Sequence, residues 1–176
     1  MLMMSKSLYG RPIKSLHSET TVGVATEPII NPHNLKILGW WCKAPSSGKQ
    51  LVLLAENVRE LMPSGLAVDD DSALSQPEDL VRHREILDIR FQLPDKLVKT
   101  KRQKLGKVSD FTYDESMFVQ KLYVSRSLAK LFSSEDTLII GRNQILEVTD
   151  HYILIDDADI RATEEEMVPA AAPASS

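Results

Sequence analysis

The chain reads as a mainly all-β protein: two tandem small antiparallel β-barrels joined by a short helical linker. Two observations predict this. The first is an internal repeat, in which Gly23-Val24-Ala25-Thr26-Glu27 is answered by Gly106-Lys107-Val108-Ser109-Asp110, Val58-Arg59-Glu60-Leu61 by Ile145-Leu146-Glu147-Val148, and Leu66-Ala67-Val68-Asp69-Asp70 by Ile153-Leu154-Ile155-Asp156-Asp157. The register drifts by only a few residues between blocks, as changes in loop length would cause if each block is a strand or hairpin kept in the same order. The second is periodicity: apolar residues recur at a spacing of two or in short continuous runs, and many short strands at close spacing make a small barrel.

In the first unit, residues 8–75, the segment from Leu35 to Cys42 reads as a strand buried on both faces or lying at the junction between the halves. Asn31-Pro32-His33-Asn34 before it has hairpin-loop chemistry, its side chains bonding their own backbone. Gln50 to Ala55 and Leu66 to Val68 are further short strands. In residues 76–90, Ser75-Gln76-Pro77-Glu78 has the form of a capping box and opens a short helix over Asp79 to Glu85. The second unit, residues 91–160, repeats the strand pattern at Phe118 to Val124, Thr137 to Ile140 and Tyr152 to Ile155, with Asp114-Glu115-Ser116 as its hairpin loop. Ser127 to Phe132 adds a helical turn that the first half lacks. Residues 161–176, with Glu164-Glu165-Glu166, two prolines and few large apolar residues, read as a disordered tail.

Composition narrows the function classes. A net charge of −4 over 176 residues leaves no half a polycation. One cysteine, Cys42, rules out an internal disulfide framework and thiolate metal knuckles, and fits the reducing cytoplasm. No run approaches the roughly 20 apolar residues of a membrane span, so a soluble protein is expected. His17, His33, His83 and His151 are scattered without ligand spacing, and Asp69-Asp70-Asp71 lacks the glycine turn of a calcium loop. Neither a Gly-x-Ser-x-Gly elbow nor a phosphate-cradling glycine loop is present. The expectation is a protein that is not an enzyme, with no catalytic residues, no cofactor and no metal.

In pattern, each half resembles the PRC-barrel domain family. The likeness rests on Gly-x-apolar-x-Asp/Glu followed by an Asn/Asp turn and a strand, then apolar-x-Glu-apolar and an apolar run ending in Asp, from Leu8 to Asp70 and again from Phe91 to Asp157. What the resemblance implies is a small β-barrel that mediates contacts with protein or RNA. It supplies no catalytic set to carry over. One relative implied by the resemblance, the photosynthetic reaction-centre H subunit, carries a membrane helix that is lacking here. Another, the ribosome maturation factor, pairs one such barrel with a different N-terminal barrel, whereas this chain has the pattern twice.

The duplication also acts as an internal control, because features shared by both halves serve the fold while those in one half are candidates for function. Two candidates emerge. Trp40 and Trp41 in the first half point to opposite faces of a strand, so both cannot enter one core, and one must meet the other barrel, a partner or solvent. In the second half, residues 96–107 carry six cations: Lys96, Lys99, Lys101, Arg102, Lys104 and Lys107. Such a basic loop can grip phosphates, although no aromatic residues interleave with it for base stacking. The leading expectation is therefore an adaptor or assembly module that binds a protein partner through Trp40 or Trp41. The alternative is an RNA-processing or ribosome-assembly factor that binds RNA through Lys99, Lys101, Arg102, Lys104 and Lys107.

Overall fold

Fourteen short strands and one short α-helix make up the fold in a computed structural model that describes residues 1–126 and 137–156. In chain order the strands are β1 (Met3–Met4), β2 (Arg11–Ser15), β3 (Thr21–Ile30), β4 (Ile37–Lys43), β5 (Gln50–Leu54), β6 (Val58–Met62), β7 (Gly65–Val68) and β8 (Leu74–Ser75). After the helix α1 (Arg84–Ile89) come β9 (Leu97–Lys99), β10 (Lys104–Tyr113), β11 (Val119–Ser125), β12 (Thr137–Gly141), β13 (Ile145–Val148) and β14 (Tyr152–Ile155). The chain is all-β with barrel-like sheets, as its period-two pattern predicts. The expected helical turn at Ser127 to Phe132 and the tail 161–176 lie outside the described residues. Among those described, no helix is long and apolar enough to cross a membrane.

Two compact units are present, one of Met1–Phe91 with Asp114–Phe118, the other of Gln92–Tyr113 and the chain from Val119 onward. Two sheets are formed, and six strands of each follow the same order. The first runs β6-β7-β2-β3-β4-β5-β8 and the second β13-β14-β9-β10-β11-β12. The neighbours are antiparallel except for one parallel pair in each, β2 with β7 and β9 with β14. The expected antiparallel pairing thus holds for most neighbours, and one parallel pair in each sheet adds to it. A period-two pattern fixes which face a residue occupies but carries no strand direction.

The repeat extends to irregularities. Pairing of β3 with β4 slips between Ala25 and Glu27, leaving Thr26 as a bulge, and pairing of β10 with β11 slips between Val108 and Asp110, leaving Ser109. Each bulge residue uses its hydroxyl in the same way, Thr26 Oγ1 donating to Trp41 O at 2.9 Å and Ser109 Oγ donating to Tyr123 O at 3.1 Å. A bulge bends its strand and disrupts the ladder locally, and here the hydroxyl bonds a carbonyl of the neighbouring strand. The loops that follow also match. Asn31 N donates to Lys36 O as Asp114 N does to Phe118 O, and Leu35 and Met117 both take positive φ angles, +56° and +65°.

The helical segment departs from its expected form. Ser75 lies in β8, Gln76 makes no side-chain cap, and Pro77–Asp79 and Val81–His83 are single 3₁₀ turns before α1 begins at Arg84. Pairing of Ser75 with Val52 and of Leu74 with Leu53 pulls the proposed cap residue into the sheet. The segment packs its apolar residues within the first unit, where Leu80, Ile86 and Leu87 meet Ile29, Trp41, Val52 and Leu54.

Cys42, the penultimate residue of β4, is fully buried, and its thiol donates to Trp40 O at 3.4 Å. Burial pushes its pKa up from an ordinary 9.0 to about 12, only partly offset by a backbone hydrogen bond at Leu53. Because the folded pKa is the higher one, this thiol's contribution to stability is present in full below about pH 9 and is lost as pH rises toward 12. The expected result is that an aromatic disulfide reagent at mildly alkaline pH labels Cys42 only as fast as the first unit opens. Immediate labelling of the folded protein would show that the thiol is accessible.

Candidate functional site

Both tryptophans are inside the first unit. Trp40 is 1 % exposed and Trp41 4 %. The sequence argument that they point to opposite faces holds, since β4 pairs with β5 in unbroken alternation, Trp40 opposite Leu53 and Trp41 opposite Val52. What it lacked was a cover for the second face from the same half. That cover is the segment running into α1: Leu80, Ile86 and Leu87 lie in the Trp41 cluster, and the Arg90 guanidinium stands 4.4 Å from the Trp41 ring centroid. Arg90 is held there by donating from Nη2 to Gln50 Oε1 at 3.0 Å. Neither ring is therefore presented as a surface anchor. Trp40 Nε1 meets no acceptor among the described residues, so that ring is present for its bulk.

The basic residues form a compact hairpin in the second unit. β9 and β10 pair with Lys99 directly opposite Lys104 and Leu97 opposite Lys107, with a bulge at Leu105 between. The turn is organised by Thr100, buried at 3 %, whose Oγ1 accepts from Arg102 N at 3.2 Å and Gln103 N at 3.1 Å. This Thr-centred turn leaves Lys101, Arg102, Lys104 and Lys107 exposed, with Lys99 half-buried. Lys96 is engaged at the base of the hairpin, donating from Nζ to Asp150 O, and burial lowers its pKa despite the Asp150 charge.

The structure adds one residue that the local sequence did not suggest. Tyr152, at the start of β14, lies opposite Leu97 across the parallel pair, and Lys99 Nζ stands 3.8 Å from its ring centroid. Its hydroxyl donates to Glu147 Oε2 at 3.3 Å, and the Glu147 charge raises the phenol pKa. The aromatic missing from residues 96–107 thus comes from the far end of the unit. The repeat itself holds a signal for it, because Tyr152 falls where the first half has Gly65.

The first unit's equivalent hairpin has a different character. There Lys14 faces Thr21 across β2 and β3, and the turn residues include Ser18, Glu19 and Thr20. Ser15 plays the part of Thr100, buried at 2 % and accepting from Ser18 N at 3.1 Å. The two turns open on a buried hydroxyl at the same place, but the first spans residues 15–20 and the second 100–103, and only the second is cationic. Like charges directly opposite on a ladder are destabilising, so the Lys99 and Lys104 pair carries a cost that the fold does not require.

The acidic clusters have local uses. Asp69 forms a two-pronged pair with Arg59, Nε to Oδ1 at 2.8 Å and Nη2 to Oδ2 at 2.5 Å, which holds its carboxyl below the ordinary range. Asp70 Oδ1 accepts from Ser72 N at 2.8 Å and from the Ser72 hydroxyl, capping the 3₁₀ turn at Asp71–Ala73. Among the described residues no group of three or more His, Cys, Asp or Glu side chains is placed to hold a metal ion. Neither the known protein families nor the characterised proteins include a match to this chain.

Proposed function

We propose that this chain is a non-enzymatic binding module of tandem PRC-barrel type whose cationic hairpin, residues 96–107, takes the phosphate backbone of RNA. The observation that carries this reading is the placement of Lys99 directly opposite Lys104, beside exposed Lys101, Arg102 and Lys107, on only one of the two corresponding hairpins. Repulsion across a ladder is relieved when an anion sits among the charges, and a strand of phosphates supplies anions at a regular spacing. Tyr152 beside Lys99 offers a ring on which a base can stack. The alternative, a protein adaptor, loses its two candidate anchors because Trp40 and Trp41 are buried in their own unit.

Titration with a single-stranded RNA dodecamer over a range of salt tests this. Replacing Lys101, Arg102 and Lys104 together by Ser is expected to weaken binding at every salt concentration. It should also flatten the slope of log K against log salt by roughly 2, since each single-strand phosphate contact contributes about 0.7. Unchanged RNA binding in the triple variant would sink the proposal. Retention of a protein partner from cell extract after ribonuclease treatment, with no RNA affinity, would restore the adaptor.

A further inference from the structure

Alternation along the second sheet puts the cationic hairpin and Tyr152 on one surface. Val98 and Ile153 are neighbours across the parallel pair and are fully buried, so the residues on either side of them point away from the core. Lys104 lies opposite Lys99, Tyr152 opposite Leu97, and Glu147 opposite Leu154, which carries the same outward face over β10, β9, β14 and β13. Exposed cations, a half-buried phenol ring and an exposed carboxylate therefore stand side by side.

The carboxylate is out of place in a site for phosphate alone. Only the Tyr152 ring separates Glu147 from Lys99, and its charge lowers the positive potential that a phosphate would meet there. In the first unit Glu60 has the equivalent place, opposite Ala67, but Gly65 stands where Tyr152 does, so no ring accompanies it. What the second unit adds to this glutamate is an aromatic face. The phenol occupies one of its oxygens, Oε2, while an ionised carboxylate accepts at about four lone-pair sites and donates nothing. Glu147 has capacity for a further donor and none for an acceptor.

The ring carries the complementary signal. The Lys99 ammonium, 3.8 Å from its centroid, rests on a ring face at the end of a flexible four-carbon stem, and a phosphate drawing that ammonium away leaves the face for a flat group. A base of the same strand can stack there, and its edge then meets Glu147, which is held at the phenol oxygen.

We infer that this face reads an unpaired base bearing an exocyclic amine, preferring cytosine to uracil, with Tyr152 as the stacking platform and Glu147 as the acceptor. The two pyrimidines have the same size and differ at one edge, which presents an amine donor in cytosine and a carbonyl acceptor in uracil. A carboxylate bonds the first and repels the second. A base inside a duplex is already stacked and paired, so the face selects single strands. This specificity rests on the RNA reading and adds to it the part of the nucleotide that is recognised.

Titration of the full chain with oligocytidylate and with oligouridylate dodecamers at one salt concentration tests the inference. The parent is expected to bind the cytidylate roughly tenfold more tightly. Glu147→Gln, whose amide donates as well as accepts, should bring the two affinities to within about twofold of each other, whatever the loss of a negative charge does to both. Tyr152→Leu should weaken cytidylate binding roughly fivefold or more and remove the preference with it. Equal affinity of the parent for the two oligonucleotides would overturn the inference and leave the RNA reading standing, as would a preference that survives Glu147→Gln unchanged. Failure of the parent to bind either one would overturn both.

Discussion

Trp41→Ala is expected to lower the stability of the first unit by about 3–5 kcal/mol, because the removed ring is the centre of a buried cluster rather than a surface feature. Its loss leaves a cavity walled by Ile29, Val52 and Leu54, whose backbones are fixed by the sheet, and by Leu87 of α1. The Arg90 guanidinium loses the ring it stands over, and the helical segment loses its main apolar partner. Chemical denaturation measures the loss, and hydrogen exchange over residues 77–90 should show that segment released before the sheet opens. A change below about 1 kcal/mol, the range of exposed positions, would mean that Trp41 does not hold the cover in place.

Gly106→Ala is expected to cost about 3–5 kcal/mol in the second unit. The residue has a φ of +154°, and a Cβ there would press into the Ser125 carbonyl and the Arg126 backbone. Strain in the glycine-only region and overpacking against main chain each contribute on the order of 1–3 kcal/mol. The repeat supplies a matched control. Gly23 has the same place in β3, its φ is not in that region, and its added Cβ would meet Lys43 O at 3.2 Å. Gly23→Ala should therefore cost about 1 kcal/mol, the low end of overpacking. Equal losses at the two positions would contradict the backbone difference between the units.

Much of this architecture is written in short-range sequence terms. The paired blocks from Gly23 and Gly106 are matching strands of ten residues with the same bulge, and the motif Gly-x-apolar-Thr/Ser marks the bulge hydroxyl in both. Strand ends at Gln50 and Thr137 and at Val68 and Ile155 follow from apolar runs bounded by loops. Strand direction was not legible, because a period of two is the same read either way, and the parallel pairs of β2 with β7 and β9 with β14 depend on long-range closure. The cover over Trp41 was missed for a related reason. The segment from Leu80 to Arg90 has no strong helical period, and its apolar residues find their partner far from it in the sequence. Of the candidate site, the cations were visible as a run, but the facing of Lys99 and Lys104 needed the register, and Tyr152 needed the fold.

A chain that holds one strand order twice faces a hazard in folding: a hairpin from one half can be offered to the sheet of the other, since the strand order and the bulge are shared. The side chains on β4 and β11 decide against the exchange. Where β4 presents Gly39 and Trp41, β11 presents Lys121 and Tyr123. Putting β11 in the place of β4 would set Lys121 at the position of Gly39, where even a Cβ would press into the backbone of Leu53 and Leu54. The reverse exchange would leave Trp41 without the Leu87 and Arg90 cover and open to water. Divergence at these two positions is then a proofreading device, one that lets two copies of a fold share a chain without scrambling, and it does so by penalising the wrong partner more than by rewarding the right one.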